Sequence, residues 1–178
     1  MKTWVALFRG INVGGKNVLK MADLRRELES LKLSNVRTYI QSGNVVFESA
    51  VKSSTTLGKQ IVELVEQKHG FAPHLLIISA DQLLDAIKAN PFPNAVSDPK
   101  TLHFFFLAQP SKNPDLDAMK AAQNESEQFR LTDAVCYLHT PKAFRDSKLA
   151  PKVEKLLGVV ATARNYRTVE KLTEMVEG

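Results

Sequence analysis

Cysteine occurs once in 178 residues, at Cys136, so no internal disulfide can form. A disulfide-stapled scaffold is excluded, and a reducing cytoplasm is the expected setting. Long apolar runs are also missing. Runs such as residues 75–78 and 104–108 fall far short of the about 20 residues needed to cross a bilayer, and no membrane partner is expected. The first eight residues meet Arg9 too early for a signal peptide and offer no small-residue cleavage site. His69, His74, His103 and His139 have no ligand spacing and Cys136 has no partner thiol, so neither a metal nor another cofactor is implied. The acids are outnumbered only slightly. A net charge of +5 is too mild to name a partner by itself.

What the chain does have is apolar residues, 44% of the total, enough for a packed core. Their spacing alternates between two periods. A strand is expected over 3–9, followed by a Gly/Asn-rich loop over 10–17. Leu24, Leu28 and Leu31 then form one helical stripe. Strands over 36–41 and 45–48 flank Ser42-Gly43-Asn44, where tolerance of positive φ calls for a tight hairpin. A second helix carries Leu57, Ile61, Leu64 and Val65 and stops at Gly70; a strand over 74–79 follows. A short helix over about 81–89 ends at Asn90-Pro91-Phe92-Pro93, the best candidate for a linker.

The order then repeats. A strand over 102–108, a helix at Leu116 and Met119, and strands over 129–131 and 135–139 come first. A helix at Val153, Leu156 and Leu157 stops at Gly158, and a strand over 159–163 leads to a helix with Val169, Leu172 and Val176. Each half reads βαββαβ, the ferredoxin-like split unit. The expected class is α+β, with two such units in tandem (1–90, then 91–178 with the Pro-rich linker) and a C-terminal helix. In each sheet the fourth, first, third and second strands should lie side by side. The halves share no residue-level identity, so the repeat is architectural.

Two stretches, Phe8-Arg9-Gly10-Ile11-Asn12-Val13-Gly14-Gly15-Lys16-Asn17 and Arg37-Thr38-Tyr39-Ile40-Gln41-Ser42-Gly43-Asn44-Val45-Val46-Phe47, resemble the bacterial domain-of-unknown-function family numbered 1697. Asn90-Pro91-Phe92-Pro93, Ser147-Lys148-Leu149 and Ala161-Thr162-Ala163-Arg164-Asn165 extend the resemblance over essentially the whole chain. It implies a tandem ferredoxin-like fold and no catalytic residue, cofactor or substrate. Where that family usually has Trp-Asn, this chain has Tyr166-Arg167.

The positive charge is unevenly placed. Segments 9–20, 36–47, 145–152 and 161–168 hold nine Lys and Arg against one acid, Asp146, or +8; with a chain total of +5, everything else sums to −3. Because the first and second strands of a split unit run the same way, loop 10–20 and the 42–44 hairpin should be neighbours. By the same logic Ser147-Lys148 should come near Arg164-Asn165. Glycine lets backbone N–H groups converge on an anion, and cations add charge-assisted hydrogen bonds. The candidate ligand residues are Arg9, Asn12, Gly14, Gly15, Lys16, Asn17, Arg37, Ser42, Asn44, Ser147, Lys148, Arg164 and Asn165.

Each has a bland alternative. Gly10 to Lys16 matches a phosphate loop up to Asn17, where the Mg²⁺-binding hydroxyl is absent, and the helix starts too late. Ser42-Gly43-Asn44 is first a turn. Arg37 could pair with a carboxylate across the sheet or bind ligand. Ser147 suits a helix N-cap better than a Ser–Lys nucleophile. Trp4, Phe8 and Phe47 could be a base-stacking platform or simply core. The leading expectation is therefore a protein binding an anion, either a phosphorylated small molecule or a nucleic-acid backbone. The rivals are an enzyme acting on a phosphorylated or nucleotide-like substrate and a protein-interaction module. A general base is hard to name, since these loops hold one carboxylate and no histidine.

Overall fold

The structure, a computed structural model, describes all 178 residues. They divide into two compact units, Met1–Leu84 with Leu172–Gly178, and Asp85–Lys171. The Pro-rich stretch belongs to the second.

In the first unit β1 (Lys2–Arg9), α1 (Met21–Ser30), β2 (Ser34–Tyr39), β3 (Asn44–Ser49), α2 (Ser54–His69) and β4 (His74–Ser79) follow in order. The sheet order is β2-β3-β1-β4, with every neighbouring pair antiparallel. Local chemistry sets the helix ends. The Ser53 hydroxyl accepts from the Thr56 N–H at 3.2 Å, and Gly70 closes α2 in the left-handed region at φ +76°. One face of the sheet (Trp4, Ala6, Phe8, Val45 and Phe47) packs on Leu24, Leu28, Leu57, Ile61 and Val65 of the two helices. Trp4 stands opposite Phe47 in the β1–β3 register, so the aromatics that could have stacked bases are core residues. The first strand's other side chains, Val5 and Leu7, are also fully buried.

The second unit repeats the pattern with β5 (Leu102–Leu107), α4 (Leu116–Ala122), β6 (Gln128–Leu131), β7 (Val135–His139), α5 (Val153–Leu157) and β8 (Ala161–Asn165) in the order β6-β7-β5-β8. Its helix-facing core is Phe105, Leu107, Met119, Cys136, Leu138, Leu149, Val153 and Leu157. All six residues of β5 are buried, as its phenylalanines suggested. Burial pushes the Cys136 thiol up to about 12, which leaves it an inert core residue. The α3 helix (Ala80–Lys88) precedes this unit's sheet, and α6 (Tyr166–Glu177) follows it. No helix is long and apolar enough to cross a membrane.

Among the boundaries that shift from the sequence reading, two change a loop. The last strand begins two residues later and runs to Asn165. Val160 lies before it, half exposed, and its carbonyl accepts from the Ala108 N–H at 2.9 Å. The first hairpin is wider than three residues. Tyr39 pairs with Asn44, so residues 40–43 form the connection, with Ile40 at φ +50° and Gly43 at φ +81°.

Candidate functional site

The chain has eleven residues at positive φ, and seven of them lie in just two loops: Gly10, Asn12, Gly14, Gly15 and Asn17 between β1 and α1, and Ile40 and Gly43 between β2 and β3. A β-branched residue such as Ile40 rarely adopts this backbone, so the geometry there is imposed by its surroundings.

The first loop is a miniature hairpin. Val13 and Lys16 form an antiparallel bridge closed by a Lys16 N–H to Val13 C=O bond of 3.0 Å. Gly14 and Gly15 occupy its tip with φ +58° and +72°, the signature of a type I′ turn. The Asn12 N–H donates to the Asn17 carbonyl at 3.1 Å, one rung below. This rules out a phosphate loop of the nucleotide-hydrolase kind. There the lysine opens a helix, whereas here α1 begins only at Met21.

Asn12 joins the two loops. Its amide donates to the Leu19 carbonyl at 2.9 Å and to the Gln41 carbonyl at 2.8 Å, while its Oδ1 accepts from the Leu19 N–H at 2.7 Å. The Phe8 N–H donates to the Gly43 carbonyl at 2.8 Å. Loop 10–20 and the hairpin are thus adjacent, as the parallel run of β1 and β2 required. Replacing Asn12 by glycine keeps the backbone conformation and deletes only the clip. The expected cost is about 2 kcal/mol in urea unfolding, with faster amide exchange at Leu19.

Several candidates are spent in the same way. The Asn17 amide donates to the Gly10 carbonyl at 3.0 Å. Asn44 is fully buried and donates to the Tyr39 carbonyl and the Ser42 hydroxyl, both at 3.1 Å. The buried Ser147 hydroxyl accepts from the Ala150 N–H at 3.0 Å, capping the turn at Ala150–Lys152, and Asn165 caps α6 by accepting from the Thr168 N–H at 3.0 Å. These side chains hold backbone.

The cations divide differently. Lys16, Lys20 and Lys148 are exposed and enter no ion pair. Arg9, half-buried at the end of β1, and Arg164 are both engaged within the protein. The Arg164 guanidinium donates to the Ala163 carbonyl at 2.9 Å; burial brings it down to about 10, so it remains a cation at neutral pH. Arg37 is half-buried and unlike the rest: its Nε is sealed from water with no hydrogen-bond partner. The N–H groups of Gly14 and Gly15 make no bond within the protein.

In the second unit the segment after β7 meets the end of β8 through His103. This β5 residue stands opposite Asn165, and its ring stacks on Phe144 at 3.7 Å between centroids. Sequence reasoning missed His103, because a histidine within a phenylalanine-rich strand carries no motif. It also left out Tyr39, although two-residue spacing along β2 places Tyr39 on the same face as Arg37.

Tandem split βαββαβ units, the first carrying a basic glycine-rich hairpin, define the architecture. Residues 1–137 match the family described as "Protein of unknown function (DUF1697)", and the chain belongs to that family. A solved structure, of a conserved bacterial protein from Streptococcus pneumoniae, is similar over 98% of each chain with a TM-score of 0.72 and 26% identity. No curated protein matches.

Proposed function

We propose that this protein binds an anionic, phosphate-bearing ligand at the loop edge of its first unit. One observation carries the reading: three of the cations there, Lys16, Lys20 and Arg37, have no acidic counterpart. Lys16 and Lys20 stand in solvent without an ion pair, and Arg37 lacks one as well. A protein neutralising its own basic loops would pair carboxylates with them; no carboxylate pairs with Lys16, Lys20 or Arg37. The hairpin tip adds two unused N–H groups next to Lys16, and the Asn12 clip holds both loops in place before any ligand arrives. With one carboxylate in the four basic segments and no histidine, the reading is of binding rather than acid–base chemistry.

A panel of phosphate-bearing small molecules, with single-stranded DNA and RNA, tests this by melting temperature and titration. At least one class should raise the melting temperature at sub-millimolar concentration. The Lys16→Glu/Lys20→Glu pair should weaken that binding about tenfold and make the log–log salt dependence shallower by about 2. If no compound stabilises the protein and neither nucleic acid binds, the reading is wrong.

A further inference from the structure

Arg37 is the one candidate cation with a buried donor that no protein group satisfies. Its face is settled by its neighbours. Thr38 accepts from Arg25 of α1 at 2.8 Å and so faces the helices; Arg37 and Tyr39, one residue to either side, face away. In the register Arg37 stands opposite Val46, and Tyr39 opposite Asn44. The carboxylate on that face of β3 is Glu48, two residues beyond Val46. It accepts instead from the Asn35 amide at 3.1 Å and makes no ion pair with Arg37. The cross-sheet pairing open to Arg37 in the sequence is therefore not made. Its Nε is buried without a partner, a costly arrangement for a charged donor, and the Tyr39 hydroxyl two residues along forms no hydrogen bond.

We infer that Arg37 and Tyr39, on the side of the outer strand β2 turned away from α1, form an oxyanion subsite that takes the terminal phosphate of a small phosphomonoester. This rests on the reading of the loop edge as an anion-binding surface and names its ligand class. With its Nε sealed, the Arg37 guanidinium has its two Nη groups to present as a fork matched to two oxygens of one phosphate. Tyr39, on the same face about 7 Å along the strand, is placed to donate to a third oxygen or to the ester oxygen. Arg37 is recessed in a strand, unlike the protruding hairpin of Lys16. A terminal phosphate enters such a place more easily than a diester flanked on both sides by polymer. A carboxylate has the same fork geometry with one oxygen fewer, so the two anions must be compared directly.

The test uses the full-length protein with inorganic phosphate, a simple alkyl phosphomonoester and acetate, at matched ionic strength. Melting temperature and calorimetric affinity are measured for wild type, Arg37→Met and Arg37→Lys. Removing an unsatisfied guanidinium should leave the ligand-free melting temperature of Arg37→Met equal to or above wild type. The phosphomonoester affinity should fall about tenfold or more in that variant, and less steeply in Arg37→Lys, which keeps charge but loses the fork. Acetate should bind more weakly than phosphate to wild type. Three results would each overturn the inference. Arg37→Met could melt several degrees lower without ligand, which would make the guanidinium a structural brace. Phosphomonoester affinity could be the same in Arg37→Met as in wild type, which would leave the loop-edge reading standing and remove this subsite. Acetate could equal phosphate, which would remove the phosphate assignment.

Discussion

Gly43→Ala should unfold at a melting temperature roughly 10 °C below wild type, the largest single-residue effect expected of the first unit. Two costs combine. Gly43 sits at φ +81°, where a Cβ crowds its own backbone at about 1 kcal/mol. The added carbon would also stand 2.5 Å from Ile11 Cδ1 and 2.6 Å from Phe8 Cβ, inside any allowed contact. Ile11 and Phe8 are both core residues with almost no exposure, so neither can retreat cheaply. Overpacking of this kind costs about 3 kcal/mol, for a total near 4 kcal/mol. The carbonyl of Gly43 accepts from the Phe8 N–H, so a shift of the hairpin would also loosen the end of β1. Gly14→Ala is the control. It has comparable φ, +58°, but nothing within 4 Å of the new carbon, and only the conformational cost of about 1 kcal/mol should appear. Equal melting temperatures for the two variants would mean that the close approach at Gly43 does not hold the hairpin.

The second large effect concerns acid. His103 is buried to 9% exposure, stacks on Phe144 and has an Nδ1 without a partner. Burial, which disfavours the charged ring, lowers it from 6.5 to about 4. The folded protein therefore holds His103 neutral at pH values where the unfolded chain already binds a proton. Stability should be flat with respect to this group above pH 7. It should fall as pH drops through 6.5 and stop falling below about 4, a total loss of about 3 kcal/mol. His139 is lowered too, by burial against the opposing pull of Asp98, and adds a smaller slope of the same sign. His103→Phe removes the proton and keeps a ring to stack on Phe144. Its unfolding free energy should lose most of the slope between pH 6.5 and 4. A variant as acid-sensitive as wild type would place the sensitivity elsewhere.

The architecture was legible because two kinds of signal agreed. Apolar residues at helical spacing marked α1 and α2, and Gly70 and Gly158 ended their helices in the left-handed conformation that only glycine adopts cheaply. The adjacency of the basic β1–α1 loop and the β2–β3 hairpin followed from strand direction alone. What the side chains do within that neighbourhood did not follow. Asn12, Asn17, Asn44, Ser147 and Asn165 have the donors and acceptors a ligand needs, but the backbone of an irregular loop needs the same groups, and composition does not tell the two uses apart. Lys16 fell within a phosphate-loop spacing that the fold spends on a two-glycine turn. The special place of Gly43 is equally invisible in one dimension: its neighbours Phe8 and Ile11 are about 30 residues away in the chain. Arg37 stood between two readings, and only coordinates could show that the available carboxylate, Glu48, was bonded to Asn35.

The pairing of β2 with β3 slips between Ser34 and Arg37, with Asn35 at φ +50°. β2 is an outer strand of its sheet, with one row of peptide groups facing away from β3. A foreign peptide aligning itself there would lose its hydrogen-bonding rhythm within a few residues. The margin is thus guarded against stacking of one molecule onto the next. A partner that docked by extending the sheet would have to choose another border.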